Sequence, residues 1–216
     1  MNCIVTAGPT YEPLDEVRRL TNFSTGALGS QLANYLVGHG HTVTLLLGQQ
    51  ATHRGVQRAQ ERLAFTTTAD LCQRLQSSSM RTMDAVFHVA AVSDFAFGKI
   101  WERSAAGELS ECQTAKISTR SGTLLAELVP TPKIIGALRT WFPHARLTGW
   151  KYELVGDRNG VLTKAERQIM ESRTDACVAN GQAYGSGFGL VTGPGKCDHF
   201  TGRQGLFAAL EKFARP

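Results

Sequence analysis

Three groups of residues in this chain have the types and spacing to hold an anion. The first is Gly8 with Ser24, Thr25 and Gly26: an apolar run over residues 3–6 opens into Ala7-Gly8-Pro9-Thr10, and helical periodicity starts only near Ser24-Thr25-Gly26. A strand, a long polar loop and a helix N-terminus together turn free N–H groups and the positive end of the helix dipole toward a phosphate. Either Ser24 or Thr25 can cap that helix, and Gly26 lets backbone approach a ligand closely. The loop adds Arg18 and Arg19 for charge and Asn22 for hydrogen bonds. The second group is Asp94, which follows the small residues of Val89-Ala90-Ala91-Val92-Ser93. It can hold Mg²⁺ on a polyphosphate or cap a turn. The third is Thr131-Pro132-Lys133-Ile134, in which a threonine cap and a proline at the first helical position make a second phosphate-facing helix opening.

These groups need a scaffold that brings strand ends together. Strand-like runs at 3–6, 42–47, 85–89, 145–149 and 175–179 alternate with helical patterns at 26–37, 69–75, 132–141, 163–171 and 203–213. Alternation of this kind predicts an α/β fold: a mainly parallel, Rossmann-like sheet flanked by helices, in a single domain over 1–216. In such sheets ligands bind outside the carboxyl ends of the strands, where Asp94 falls. Leu28, Leu32, Ala33 and Leu36 form one apolar helical face and belong to the core. Residues 124–129 read as a further strand, and 188–201 as strand and turn. The segment 95–115 is poorly patterned, with Phe95, Phe97 and Trp101, and reads as an insertion, lid or dimer contact.

Several function classes are disfavoured. A dinucleotide fingerprint has its glycines in a tight turn directly after the strand and an acidic residue about 20 positions on. Here residues 8–25 intervene before Gly26, and the second strand ends in Gly48-Gln49-Gln50 with no carboxylate. A short-chain oxidoreductase would also need a Tyr-x-x-x-Lys pair, which the chain lacks. Its five cysteines form no Cys-x-x-Cys or Cys-x-x-His pair, so zinc and redox motifs are absent, and Cys3 and Cys177 are expected as buried thiols. No apolar stretch is long enough for a membrane span and no signal peptide is evident, so a cytoplasmic location is expected. The net charge of +5 suits an anionic ligand. Arg54, Arg58 and Arg62 share helical spacing and read as a solvated basic stripe; no nucleic-acid motif accompanies them.

Six motifs in register carry a resemblance. Val5-Thr6-Ala7-Gly8-Pro9-Thr10, Val17-Arg18 with Thr21-Asn22-Phe23-Ser24-Thr25-Gly26, Ala90-Ala91-Val92-Ser93-Asp94, Lys116-Ile117-Ser118, Thr131-Pro132-Lys133-Ile134 and Val178-Ala179-Asn180 follow one another as they do in the phosphopantothenate–cysteine ligases. The chain resembles the stand-alone form, without a preceding flavin-binding decarboxylase domain, and no flavin is expected. The resemblance implies a carbon–nitrogen bond-forming step of coenzyme A biosynthesis. The carboxylate of 4'-phosphopantothenate attacks a nucleoside triphosphate, CTP favoured over ATP, and cysteine then displaces the nucleotide to form an amide. It further implies Mg²⁺, a Rossmann-like homodimer with each site near the interface, and small-molecule substrates only. Lys116 matches the lysine that neutralises the attacked phosphate; Asn22 matches the asparagine that holds the acyl-nucleotide, with Arg18 in the same loop. Gly8, Ser24, Thr25 and Gly26, Ala90 and Asp94, Thr131 to Ile134, and Trp150 with Lys151 match the nucleotide site. Lys99-Ile100 resembles the lysine motif too, but Lys116 has the correct distance to Thr131.

The chain departs from that family's pattern at several positions. Gln168, Glu171 and Ser172 stand where lysines that can reach phosphate are frequent, leaving Arg167 and Arg173 as substitutes of different geometry. Gly181 replaces an aspartate and Phe23 a histidine. A nucleotide-binding or regulatory module of the same fold, without ligase chemistry, is therefore the alternative.

Overall fold

The computed structural model describes residues 1–77, 82–112 and 122–215. The chain begins with β1 (Asn2–Ala7), a small hairpin of β2 (Tyr11–Pro13) and β3 (Arg19–Thr21), then α1 (Ala27–Gly38), β4 (Thr42–Gly48), β5 (Glu61–Phe65) and α2 (Thr68–Leu75). It continues through β6 (Ala85–His88), β7 (Phe95–Arg103), β8 (Leu109–Glu111), β9 (Thr123–Pro130) and α3 (Ile134–Trp141). The last part comprises β10 (Arg146–Tyr152), α4 (Arg158–Ser172), β11 (Ala176–Asn180), β12 (Phe188–Gly193), β13 (Lys196–Phe200) and α5 (Arg203–Ala214).

Eight strands form one sheet in the order β13-β12-β11-β10-β6-β1-β4-β5. From β11 to β5 all pairings are parallel, and β12 and β13 continue antiparallel. The central strands are continuous apolar runs, as a sheet covered on both faces requires. Alternate residues feed two cores. Cys3, Val5, Val43 and Leu45 pack under α1 and α5, while Ile4, Leu46, Val86 and Leu147 pack under α2 and α3. A third cluster joins α4 to β11 and β12. The parallel, helix-flanked arrangement is the one the sequence pattern predicts, and right-handed crossovers put helices of the two directions of winding on opposite faces. Among the described residues no helix is long and apolar enough to cross a membrane.

Some elements differ from expectation. Arg54, Arg58 and Arg62 do not share a helix: residues 51–60 have no regular structure, and Arg62 lies on β5, which adds to the sheet beside β4. Strand pairing overrides the apparent helical spacing of three arginines. Helix α4 begins one turn earlier than expected, because Asp157 accepts from the Gly160 N–H at 2.8 Å and caps it. The 95–115 region is more regular than its pattern suggests. Its described part supplies β7 and β8, which join β9 in a separate three-stranded antiparallel sheet. Cys3 and Cys177 are buried, as expected, and burial pushes their thiols up to about 11 and about 12.

Candidate functional site

Strand order reverses between β1 and β6, where the chain winds first toward β5 and later toward β13. A ligand crevice belongs at such a switch point, yet here it is shut. Beyond the two strands the chains stay paired through a Pro9–Ala91 bridge, with Thr10 N–H donating to Ala91 O at 3.1 Å and Ala91 N–H to Gly8 O at 3.0 Å. The open cleft, of about 190 Å³, lies one strand over, between the carboxyl ends of β6 and β10 and beneath the start of α3.

The cleft wall after β6 is built by hydroxyls. Thr10, fully buried, accepts from Ser93 N–H at 2.8 Å and donates to Ser93 Oγ at 3.0 Å. From the other side Thr131 donates its hydroxyl to Ser93 O and its N–H to Asp94 O at 3.0 Å. The backbone that presents Asp94 is thus clamped between two threonines. Because Thr131 is committed to this contact, the helix opens later than the sequence predicts. Lys133 rather than Thr131 occupies the N-cap of α3, without a side-chain cap, and Pro132 lies before the helix rather than at its first position. Lys133 Nζ then reaches Asp94 Oδ1 at 2.6 Å across the mouth.

Ala90 and Asp94 from the β6 exit, Thr131 to Ile134 from the turn into α3, and Trp150 and Lys151 from β10 all line this one cleft. Three separate segments that the resemblance assigns to the nucleotide site therefore converge on it. Lys151 pairs with Glu153 at 3.3 Å, and Lys164 of α4 reaches the same carboxylate at 2.5 Å. Partial burial would raise the Glu153 carboxyl, but hydrogen bonds from Lys164 and Lys151 outweigh it and hold it low. Trp150 Nε1 is buried and has no hydrogen-bond partner among the described residues.

The other predicted residues that the structure describes lie elsewhere. Gly8, Ser24, Thr25 and Gly26 are not among the cleft's lining residues. Gly8 (φ 82) and Gly26 (φ 77) are left-handed, and a Cβ on either would lie 2.9 or 3.0 Å from Ala51 Cβ. Their side-chain directions thus face the protein's own packing. Neither Ser24 nor Thr25 is the α1 N-cap. Gly26 takes that position, and the Thr25 hydroxyl accepts instead from Ala27 N–H at 3.3 Å. Asn22 stays close to the β6 exit, donating Nδ2 to Ala91 O at 3.2 Å. Arg18 forms an ion pair with Asp15 within the loop, its Nε 3.0 Å from Asp15 Oδ2. Lys116 lies outside the described residues. Lys99, its rival, pairs with Glu111 at 3.2 Å on the three-stranded sheet.

Sequence reasoning missed His88, Ser93 and the lining role of Gln168. His88 ends an apolar strand and was indistinguishable there from a core histidine. Burial lowers its imidazole to about 4, and its Nδ1 lies 3.0 Å from Thr6 Oγ1. Gln168 lies over Gly149 and donates to Cys177 Sγ at 3.2 Å. Among the described residues no three His, Cys, Asp or Glu side chains gather as a metal centre. Asp94 alone suits Mg²⁺ arriving on a polyphosphate, which needs only one or two protein carboxylates.

Known proteins resemble this chain over most of its length. It is 30% identical over 186 residues to the coenzyme A biosynthesis bifunctional protein CoaBC of Thermococcus kodakarensis, covering 85% of this chain and 42% of that protein. The chain spans less than half the length of the curated relatives it matches. The crystal structure of the DNA/pantothenate metabolism flavoprotein from Streptococcus pneumoniae has the same fold, with a TM-score of 0.84 at 24% identity, covering 99% of this chain and 97% of that one. A mutant of Cab2 in complex with phosphopantothenate-cysteine superposes with a TM-score of 0.75 at 19% identity, covering 99% of this chain and 87% of that one. Residues 1–196 match the DNA/pantothenate metabolism flavoprotein C-terminal domain, and the chain belongs to that family.

Proposed function

We propose that this protein is a phosphopantothenate–cysteine ligase whose nucleotide lies in the cleft between β6 and β10. The observation that carries this reading is the convergence of Ala90, Asp94, Thr131–Ile134, Trp150 and Lys151 on one cleft from three separate segments of the chain. The 4'-phosphopantothenate carboxylate attacks the α-phosphorus of a nucleoside triphosphate, CTP favoured, and the bond to the β-phosphate breaks to release pyrophosphate. The amine of cysteine then attacks the activated carbonyl, loses a proton, and expels the nucleoside monophosphate as the amide forms. Two anions must meet for the first step, so catalysis depends on positioning and charge neutralisation. Lys133 and Lys151 at the cleft supply charge, Lys116 neutralises the attacked phosphate, and Asp94 would hold Mg²⁺, which adds further charge neutralisation when bound. Asn22 holds the acyl-nucleotide for the cysteine step, and Arg18 supports that loop.

The whole of 1–216 serves as the ligase domain, and the described part of 95–115 belongs to its dimer contact. Phe95, Leu109, Leu125 and Leu128 on the three-stranded sheet are exposed apolar side chains that a second copy would cover. The second reading, a nucleotide-binding module without ligase chemistry, is favoured by one observation: the cleft-lining position 168 holds a neutral glutamine tied to Cys177, rather than a cation.

Pyrophosphate release with 4'-phosphopantothenate, Mg²⁺ and either CTP or ATP, with and without cysteine, separates the two. Turnover that yields phosphopantothenoylcysteine with cysteine present, and falls at least about a hundredfold in Lys116→Ala, is the expected result. Nucleotide binding without turnover would establish the binding module instead.

A further inference from the structure

The polar groups of the cleft are unevenly placed. Lysines 133 and 151 are exposed or half-buried, while Ile134 is buried and Ala90, Ile135 and Trp150 are partly buried. Apolar side chains of this kind suit a flat heterocycle, and the lysines suit phosphates attached to it. Amid these apolar groups stands one imidazole, His88, only 6% exposed.

Which nitrogen of His88 carries the proton follows from its neighbours. His88 on β6 is in register with Thr6 on β1. Thr6, fully buried, accepts from Ala90 N–H at 3.1 Å, and its Oγ1 lies 3.0 Å from His88 Nδ1. The Thr6 hydroxyl hydrogen has no other acceptor among the described residues, and leaving it unpaired would be costly in a buried site. It is therefore donated to Nδ1, which puts the ring proton on Nε2. Nε2 has no hydrogen-bond partner among the described residues, and His88 lines the cleft, so Nε2 is the ring nitrogen available to a ligand there. An imidazolium would turn a second donor against Thr6 and place a charge among apolar side chains.

We propose that His88 is a specificity-determining residue, donating its Nε2–H to an acceptor atom on the nucleobase of the bound nucleoside triphosphate. This rests on the reading of the cleft as the nucleotide site. Thr6 is then a positioning residue, since it fixes the tautomer and, through Ala90 N–H, the backbone beside the base. A neutral donor of this kind selects for a ring oxygen or nitrogen with a free lone pair and adds nothing to phosphate binding.

The test is calorimetric titration of wild type, His88→Leu and His88→Gln with Mg-CTP, Mg-ATP and inorganic tripolyphosphate. His88→Leu should weaken the preferred nucleotide about tenfold, and His88→Gln, whose amide nitrogen can replace Nε2, should stay within about threefold of wild type. Tripolyphosphate should bind all three alike. Equal nucleotide affinity in wild type and His88→Leu overturns the assignment, as does an equal loss of tripolyphosphate, which would mean that the cleft has collapsed. Should His88→Leu not fold, ¹⁵N NMR of the wild-type imidazole decides. An Nε2–H tautomer whose proton shifts downfield on nucleotide binding supports the assignment, and an Nδ1–H tautomer or an unchanged signal overturns it. A wild type that binds neither nucleotide defeats the reading of the cleft itself, which is a different failure from a nucleotide bound without help from His88.

Discussion

Two neighbouring gaps along one sheet edge, β1/β6 and β6/β10, start from similar sequence and end as opposites. Both follow apolar strands with small residues: Ala7-Gly8-Pro9 after β1, Ala90-Ala91 after β6. At β1/β6 the smallness is spent on the protein itself. Gly8 and Gly26 lie against each other and against Ala51, and the Pro9–Ala91 bridge closes the gap. At β6/β10 no bridge joins the exits among the described residues, and Ala90, Trp150 and the start of α3 bound open space. Small residues at a strand end therefore mark close approach by something, and only the partner distinguishes backbone from ligand.

The contrast breaks most visibly at Gly8. Gly8→Ala would force a side chain into a left-handed backbone and toward Ala51 Cβ at 2.9 Å. It should destabilise the protein by about 3 kcal/mol in urea unfolding, combining the left-handed strain with overpacking. Adding Ala51→Gly should recover the contact part and leave the backbone part. A Gly8→Ala protein within about 1 kcal/mol of wild type would mean that the β1 exit is loosely packed.

On the open side the next effect depends on pH. Burial holds His88 near 4, below its ordinary 6.5. Between those values the unfolded chain binds a proton that the folded chain does not, so stability rises with pH across this window. Acidification from pH 7 to 4 should therefore cost wild type up to roughly 3 kcal/mol more than His88→Gln. Glu153 and Asp70, both held low, add an acid loss at lower pH that is common to the two proteins. Parallel urea midpoints for wild type and His88→Gln from pH 7 to 4 would show that His88 is solvated rather than enclosed.

The same contrast explains what was legible in the sequence. The alternation of apolar runs and helical faces fixes which residues point to which core, so the central parallel strands and five helices could be read directly. Ala90 and Asp94 belong to a motif at the end of β6, and Thr131–Ile134 to one at the start of α3, whereas Trp150 and Lys151 lie within β10 and are placed by its pairing with β6 and β11. The α1 cap was misread because Ser24 and Thr25 satisfy the usual cap chemistry, whereas packing at Ala51 demanded a left-handed glycine. The late start of α3 was hidden for a similar reason, since Thr131 bonds to Ser93, which lies 38 residues away. His88 gave no signal, as a histidine ending a buried strand acquires its role only from the register that sets it beside Thr6. Strand β5 was lost because Glu61–Phe65 has weak alternation and is recognisable mainly by its pairing with β4.

The smallest effect on stability, and the most discriminating for the site, concerns Lys133 and Asp94. Their side chains are 74% and 66% exposed, so the ion pair contributes little to folding despite its 2.6 Å distance. Lys133→Ala should shift stability by less than about 0.5 kcal/mol, yet weaken tripolyphosphate binding several-fold and reduce its salt dependence, because a cation at the cleft mouth is lost. Asp94→Asn separates two roles for the carboxylate. If Asp94 only restrains Lys133, its neutralisation frees that lysine, and tripolyphosphate and Mg-nucleotide should both bind more tightly. If it also holds Mg²⁺, metal-free tripolyphosphate should bind more tightly while Mg-nucleotide binds less tightly. The second pattern is expected, because a carboxylate beside a phosphate site repels the bare anion and becomes an asset only once the metal arrives with it.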